Sequence, residues 1–200
     1  MTTPTETPRI WAIVPAAGLS RRMGRAKQSI PIGDSTITGT VVNTLLSVGV
    51  DQVVVVTRSE LAAALGLPED ARLRVVINDD SRSAMIDSIR IGIDALAPAK
   101  PALHDGVLVV PGDMPALPAS ACTRCMAAFR DDPGRIVIAT LGAARGHPII
   151  FPYSLRSDLE TLGGGLRELS RRHPQRVHSV VCDHDGVVRD IDTPGDLDRL

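Results

Sequence analysis

Five short aliphatic runs punctuate the chain up to Ala139: Ile10–Val14, Gln52–Thr57, Leu73–Ile77, Gly106–Val110 and Arg135–Ala139. Most stay apolar for several residues without alternating, as strands buried on both faces do. Helix-length patterns fill the gaps, near 36–49, 59–66, 83–96 and 118–130. Strand, helix, strand in repeated succession implies right-handed crossovers and a mostly parallel sheet with helices on both faces. Aromatic residues are only 2% of a chain that is 44% hydrophobic, so Val, Ile, Leu and Ala must fill the core.

The expected fold is α/β, a Rossmann-like three-layer α/β/α sandwich in a single domain over residues 9–200. The polar stretch 1–8 reads as a disordered tail. After residue 140 the rhythm changes. Pro148-Ile149-Ile150-Phe151 reads as a short strand, and two short helices follow, the second after Gly163-Gly164-Gly165. Arg176–Val181 and Gly186–Ile191 read as extended segments around a turn at 183–186, either a hairpin or two separate strands. A helix starts at Pro194. The net charge of −1 gives no electrostatic case for nucleic acid or an anionic membrane surface. No apolar run reaches the roughly 18 residues of a membrane span. The N-terminus lacks a signal-peptide pattern, and three cysteines are an odd, low count that fits a reducing compartment, so a cytoplasmic protein is expected.

Chemistry concentrates where strands end. The first run feeds Pro15-Ala16-Ala17-Gly18-Leu19-Ser20-Arg21-Arg22-Met23-Gly24-Arg25-Ala26-Lys27. Small residues let backbone N–H groups approach phosphates, and the arginines and lysine neutralise them. The spacing matches neither Gly-x-Gly-x-x-Gly nor Gly-x4-Gly-Lys-Ser/Thr. Asp113, in Pro111-Gly112-Asp113-Met114-Pro115, follows the fourth run and is placed to hold magnesium against phosphate oxygens. Asp192, or Asp190 on the same face of an extended segment, is a candidate second ligand; Asp192 or Thr193 is equally a cap for the helix at Pro194. His147, between Gly146 and Pro148, with Arg145 beside it, is a candidate contact for an acceptor substrate or a plain turn histidine. Asn78 and the helix start around Ser83–Ser88 lie where a base or ribose would sit, or supply a helix cap at Asp80, Ser81 or Ser83. Cys122-x-x-Cys125 falls in a helix with only Cys182 and His184 to complete four ligands, so no zinc site is expected.

In order, these motifs resemble the nucleotidyltransferases related to molybdenum cofactor cytidylyltransferases. The resemblance runs from Ala16-Ala17-Gly18-x-Ser20-x-Arg22-Met23-Gly24-x-x-Lys27, through Pro111–Pro115 and Gly146-His147-Pro148, to Asp190-Ile191-Asp192-Thr193-Pro194-x-Asp196-Leu197. It implies a fold of the nucleotide-diphospho-sugar transferase type. It also implies backbone contacts from Ala16, Ala17 and Gly18 to the nucleotide, phosphate contacts from Arg22 and Lys27, and magnesium, or manganese in its place, on Asp113. Guanylyl members usually carry Gly-Gly where this chain has Ala16-Ala17, which implies CTP over GTP. The implied reaction joins CMP to the phosphate of the molybdopterin cofactor and releases pyrophosphate. Two other readings stand beside it: transfer to another phosphorylated acceptor (a sugar, an alditol or phospholactate), and a non-catalytic nucleotide-binding factor that matures a molybdenum-enzyme apoprotein.

Overall fold

The computed structural model describes residues 6–18 and 26–198. The elements in chain order are β1 (Ile10–Pro15), β2 (Pro31–Ile32), β3 (Ser35–Thr36), α1 (Ile37–Ser47), β4 (Gln52–Thr57), α2 (Ser59–Ala62), β5 (Leu73–Ile77), α3 (Met85–Asp94), β6 (Gly106–Val109), α4 (Ala119–Asp131), β7 (Ile136–Leu141), β8 (Ala144–Pro152), α5 (Leu166–Arg172), β9 (Val177–Val181) and α6 (Pro194–Leu197). A seven-stranded sheet runs β5-β4-β1-β6-β8-β7-β9, and β2 and β3 form a small antiparallel ribbon. Only β8 in the large sheet is antiparallel to its neighbours.

The period-2 alternation of β1 divides the core between two layers. Ile10, Ala12 and Val14 pack with Leu45 of α1 and with Cys122, Met126 and Phe129 of α4. Trp11 and Ile13 face the other way, into the core layer that holds Ile86, Ile89 and Ile93 of α3 and, further along, Leu166 and Leu169 of α5. This is the expected three-layer sandwich. Trp11 supplies a large ring on that face, and its Nε1–H donates to the buried Asp105 at 3.0 Å.

Several boundaries differ from the sequence reading. The helix expected over 59–66 is α2 followed by a 3-10 turn, closed by Gly66 in the left-handed region (φ 56°). The first of the two short helices after β8 is a 3-10 run, Tyr153–Thr161. The strand expected at 148–151 is longer, because Arg145 and Ala144 continue the ladder to β7 past a register shift.

Gly186–Ile191 forms no strand, and β9 pairs in parallel with β7 in place of a hairpin. Its backbone is engaged elsewhere. Asp185–Val187 is a 3-10 turn in which His184 Nδ1 accepts from the Gly186 N–H at 3.0 Å. The Ile191 N–H donates to the Asp113 carbonyl at 2.9 Å. Val187 is fully buried, so its side chain behaves as the sequence suggested while its backbone lies across β8. The contact there is close enough that a Cβ on Gly146 would stand 1.9 Å from the Val187 carbonyl oxygen.

Candidate functional site

The carboxyl ends of β1, β4 and β5 are laced together, and ligands of open α/β sheets bind beyond such ends. The Ala16 N–H donates to the Val56 carbonyl at 2.7 Å, and the Asn78 N–H to the Thr57 carbonyl at 2.7 Å. The Gln28 amide donates to the Gly18 carbonyl at 2.9 Å, holding the first loop against the turn that begins at Lys27. Gly112 lies where a Cβ would meet Ala16 Cβ at 3.0 Å and Thr38 Oγ1 at 3.1 Å, and Thr38 Oγ1 donates to its carbonyl at 2.8 Å. The small residues therefore bring the first loop and the Asp113 loop into contact. Arg22 lies outside the described residues, as do the others from 19 to 25.

Lys27 is the centre of the charged cluster. Its Nζ stands 2.7 Å from Asp113 Oδ2 and 2.8 Å from Asp192 Oδ1. Burial alone would lower its pKa, but the two carboxylates outweigh burial and hold the ammonium above its ordinary value. Asp113, Asp190 and Asp192 each offer a carboxylate oxygen, and the three oxygens lie within 4.8 Å of one another. Partial burial, then the charges of Asp113 and Asp192, raise the pKa of Asp190 above the usual carboxylate range. Asp113 Oδ1 is buried with no hydrogen-bond partner among the described residues. An unpaired buried carboxylate oxygen is costly, and beside two further hard oxygen donors it fits a divalent cation such as magnesium.

The capping alternative at the last helix resolves in favour of Thr193 at the N-cap, completed as a capping box by Asp196. Asp196 Oδ2 accepts from the Thr193 N–H at 2.8 Å and the Asp192 N–H at 3.1 Å. That leaves the Asp192 carboxylate directed at Lys27.

Asp113 and Asp190 also line a cleft of about 690 Å³ bounded by Met85, Ile86, Ile138, Ile149, Gly163–Gly165 and Val187. Arg145, His147 and Ile149 reach it from one face of β8, as the two-residue period requires. His147 Nδ1 lies 3.2 Å from the Val109 carbonyl, which can only accept, so Nδ1 carries the proton. Burial is the main cause that drives the imidazole pKa down to about 4; Arg167 adds to it, while the Val109 carbonyl and Asp190 oppose it. Arg145 donates to Ser170 Oγ at 3.2 Å. Neither Arg145 nor Arg167 forms an ion pair among the described residues.

Asn78 and Ser88 do come together, with Asn78 Nδ2 donating to Ser88 Oγ at 3.2 Å and to Ser83 Oγ at 2.8 Å. They tie the start of α3 to the sheet edge and do not line the cleft. The cap of α3 is none of those expected: Asp87 Oδ2 accepts from the Ala84 N–H at 2.8 Å. Cys122 and Cys125 lie in the apolar core, where burial pushes both thiols up to about 12 and suppresses the thiolates that zinc needs. Arg167 and Gln28 are the site residues that sequence reading missed. The Gly163–Gly165 run just before Arg167 was the available signal, since glycines ahead of a helix start often mark a ligand approach.

An acidic cluster held around Lys27 and a cleft presenting Arg145 and Arg167, at the carboxyl edge of a mostly parallel sheet, define a nucleotide-handling α/β enzyme. The chain belongs to the MobA-like NTP transferase domain family, whose model matches residues 12–177, and it is a nucleotidyltransferase. It is 30% identical over 207 residues to nicotine blue oxidoreductase of Paenarthrobacter nicotinovorans, covering 98% of each chain. It is 27% identical over 204 residues to the purine catabolism protein PucB of Bacillus subtilis, covering 97% of each. Among solved structures, a nucleotidyl transferase from Methanothermobacter superposes with a TM-score of 0.77 at 26% identity, over 96% of this chain and 95% of that one. The fold is the α/β fold of that nucleotidyl transferase, a mostly parallel sheet between helices. No helix among the described residues is long and apolar enough to cross a membrane.

Proposed function

We propose that the protein transfers CMP from CTP to the phosphate of the molybdopterin cofactor, in the cytoplasm, with release of pyrophosphate. The observation that carries this reading is the cluster of Lys27, Asp113, Asp190 and Asp192 beside a cleft that presents Arg145, His147 and Arg167. The Ala16-Ala17 pair supports CTP over GTP, because the family's guanylyl members usually have glycines there.

In the proposed reaction an acceptor phosphate oxygen attacks the α-phosphorus in line and forms the new P–O bond. The bond from that phosphorus to the pyrophosphate bridging oxygen breaks, and pyrophosphate leaves with the electron pair. An ionised phosphate is already a nucleophile, so the protein contributes positioning and charge stabilisation more than proton transfer. Ala16, Ala17 and Gly18 hold the nucleotide through backbone groups. Asn78 and Ser88 support the base and ribose end by fixing the start of α3. Arg22 and Lys27 offset charge on the transferring group and on the departing pyrophosphate. Asp113 with Asp192, or with Asp190 as second ligand, would hold magnesium or manganese, which polarises phosphate oxygens when bound. Arg145 and Arg167 match an anionic acceptor, and neutral His147 offers Nε2 as a hydrogen-bond acceptor.

Two observations favour keeping the acceptor open to test. Neither curated relative is named as a cytidylyltransferase. Glu168, in the segment before the last large-sheet strand, turns its Oε2 back onto the Gly163 and Gly164 N–H groups at 3.0 Å each. The test is a pyrophosphate-release screen with CTP and GTP, in magnesium and in manganese, across molybdopterin and sugar, alditol and lactate phosphates. Release with CTP and molybdopterin is expected. Release with another acceptor assigns the protein to that substrate. Tight binding to a molybdenum-enzyme apoprotein without any release marks a maturation factor.

A further inference from the structure

We infer that Lys27 holds the divalent-cation position closed until a triphosphate draws it away, so that the cation enters with the nucleotide and not ahead of it. The inference rests on the transferase reading for the identity of the triphosphate, but its test needs no turnover.

The geometry is that of a cation already in place. Nζ bridges Asp113 Oδ2 and Asp192 Oδ1 at 2.7 and 2.8 Å, near the short limit for charge-assisted bonds. Magnesium takes oxygens at about 2.0–2.1 Å, so two oxygens on one ion lie about 3–4 Å apart. Nζ sits between two members of a carboxylate trio that offers oxygens within 4.8 Å of one another, a spacing on the scale of a metal's ligand shell. An ion taking both oxygens would stand so close to Nζ that the two cations repel strongly in this partly dry setting. Lys27 is 9% exposed. Its backbone opens the 3-10 turn Lys27–Ser29, directly after the basic first loop. A bound triphosphate offers Nζ another anionic partner, and the carboxylates it vacates become ligands. Asp113 Oδ1, buried and unpartnered, is then a further donor. By linkage the nucleotide and the cation must each tighten the binding of the other.

The experiment measures Mn²⁺ binding by the EPR signal of the free ion, on chelator-stripped protein without nucleotide. Three forms are compared: wild type, Lys27→Gln and Arg145→Gln. The Arg145 variant removes the same charge from the adjoining cleft but pairs with neither carboxylate. Lys27→Gln is expected to bind bare Mn²⁺ about tenfold tighter than wild type, with Arg145→Gln within about twofold of it. The inference is overturned if Lys27→Gln gains nothing, or if Arg145→Gln gains as much, which would reduce the effect to a general field. Should Lys27→Gln lose its fold by near-UV circular dichroism, the wild type decides. Wild-type Mn²⁺ affinity that is already as tight without CTP as with it overturns the inference. Failure of the pyrophosphate screen leaves all of these readouts intact.

Discussion

Replacing Asp113 with Asn separates the chemistry of the site from the stability of the fold. The side chain keeps its shape, and the backbone bond from Ile191 to the Asp113 carbonyl is untouched. Lys27 loses a charge partner at 2.7 Å, an attraction of about 6 kcal/mol at an effective dielectric of 20. The same change removes the repulsion between Asp113 and Asp192, whose oxygens lie within 4.8 Å, at least about 3.5 kcal/mol on the same scale. The difference is about 2–3 kcal/mol, and relief of the Asp190 repulsion brings it closer to zero. Lys27 is not stranded, because Asp192 still holds it at 2.8 Å. At roughly 2–4 °C per kcal/mol for a chain of this size, the melting temperature should fall by no more than about 10 °C. Turnover should fall by about 10²–10³, the range for losing one electrostatic contact to a transferring group. The assays are a thermal melt by circular dichroism and pyrophosphate release at saturating CTP. Near-wild-type turnover would refute Asp113 as a ligand. A melting point lowered by 20 °C would instead show that the carboxylate is chiefly structural.

Other perturbations test neighbouring parts of the site. His147 has a folded pKa near 4, below its ordinary 6.5, so between those values the unfolded chain binds more protons. Its contribution is complete above pH 6.5 and is lost as pH falls to 4, at most about 3 kcal/mol, so unfolding of His147→Gln should show a flatter acid limb by urea titration at stepped pH. Arg90 donates to the carbonyls of Leu159, Glu160 and Leu162 and pairs with Asp87 at 2.6 Å, fastening the Gly163–Gly165 loop to α3. Arg90→Ala should raise the KM for the acceptor several-fold with little change in the KM for CTP; equal effects on both would deny it a role specific to that loop. Gly146→Ala places a Cβ 1.9 Å from a backbone carbonyl and should destabilise by about 1–3 kcal/mol or more in denaturant titration.

The strands were legible because burial on both faces leaves a simple mark, an uninterrupted aliphatic run, and β1, β4 and β6 carry it; β5, at the sheet edge, is read from a shorter run that leaves Val75 and Ile77 exposed. Asp113 was legible for a related reason: a Gly-Asp turn directly after such a run can only lie at the carboxyl edge of the sheet. The segment 186–191 was misread because Val187 and Ile191 are buried, as strand residues are, while their backbone bonds go to a turn and to the Asp113 loop. A side-chain pattern reports burial and is silent about where the N–H groups point. The cap of α6 was legible: Thr193 stands at the N-cap just before Pro194, and Asp196 completes a capping box.

By itself, then, the order of residues determined the layered α/β architecture and the edge at which chemistry happens, since both follow from local patterns of burial and turn chemistry. The tertiary structure decided which charges meet. Lys27 and Asp192 are 165 positions apart and join only because β1 and the final loop are carried to the same sheet edge. Arg167 enters the cleft beside His147 only because α5 lies against the 3-10 run Tyr153–Thr161 in the core layer that also holds α3. Contacts of that kind depend on the register and handedness of the whole sheet, and Coulomb attraction then acts on whatever that geometry brings together.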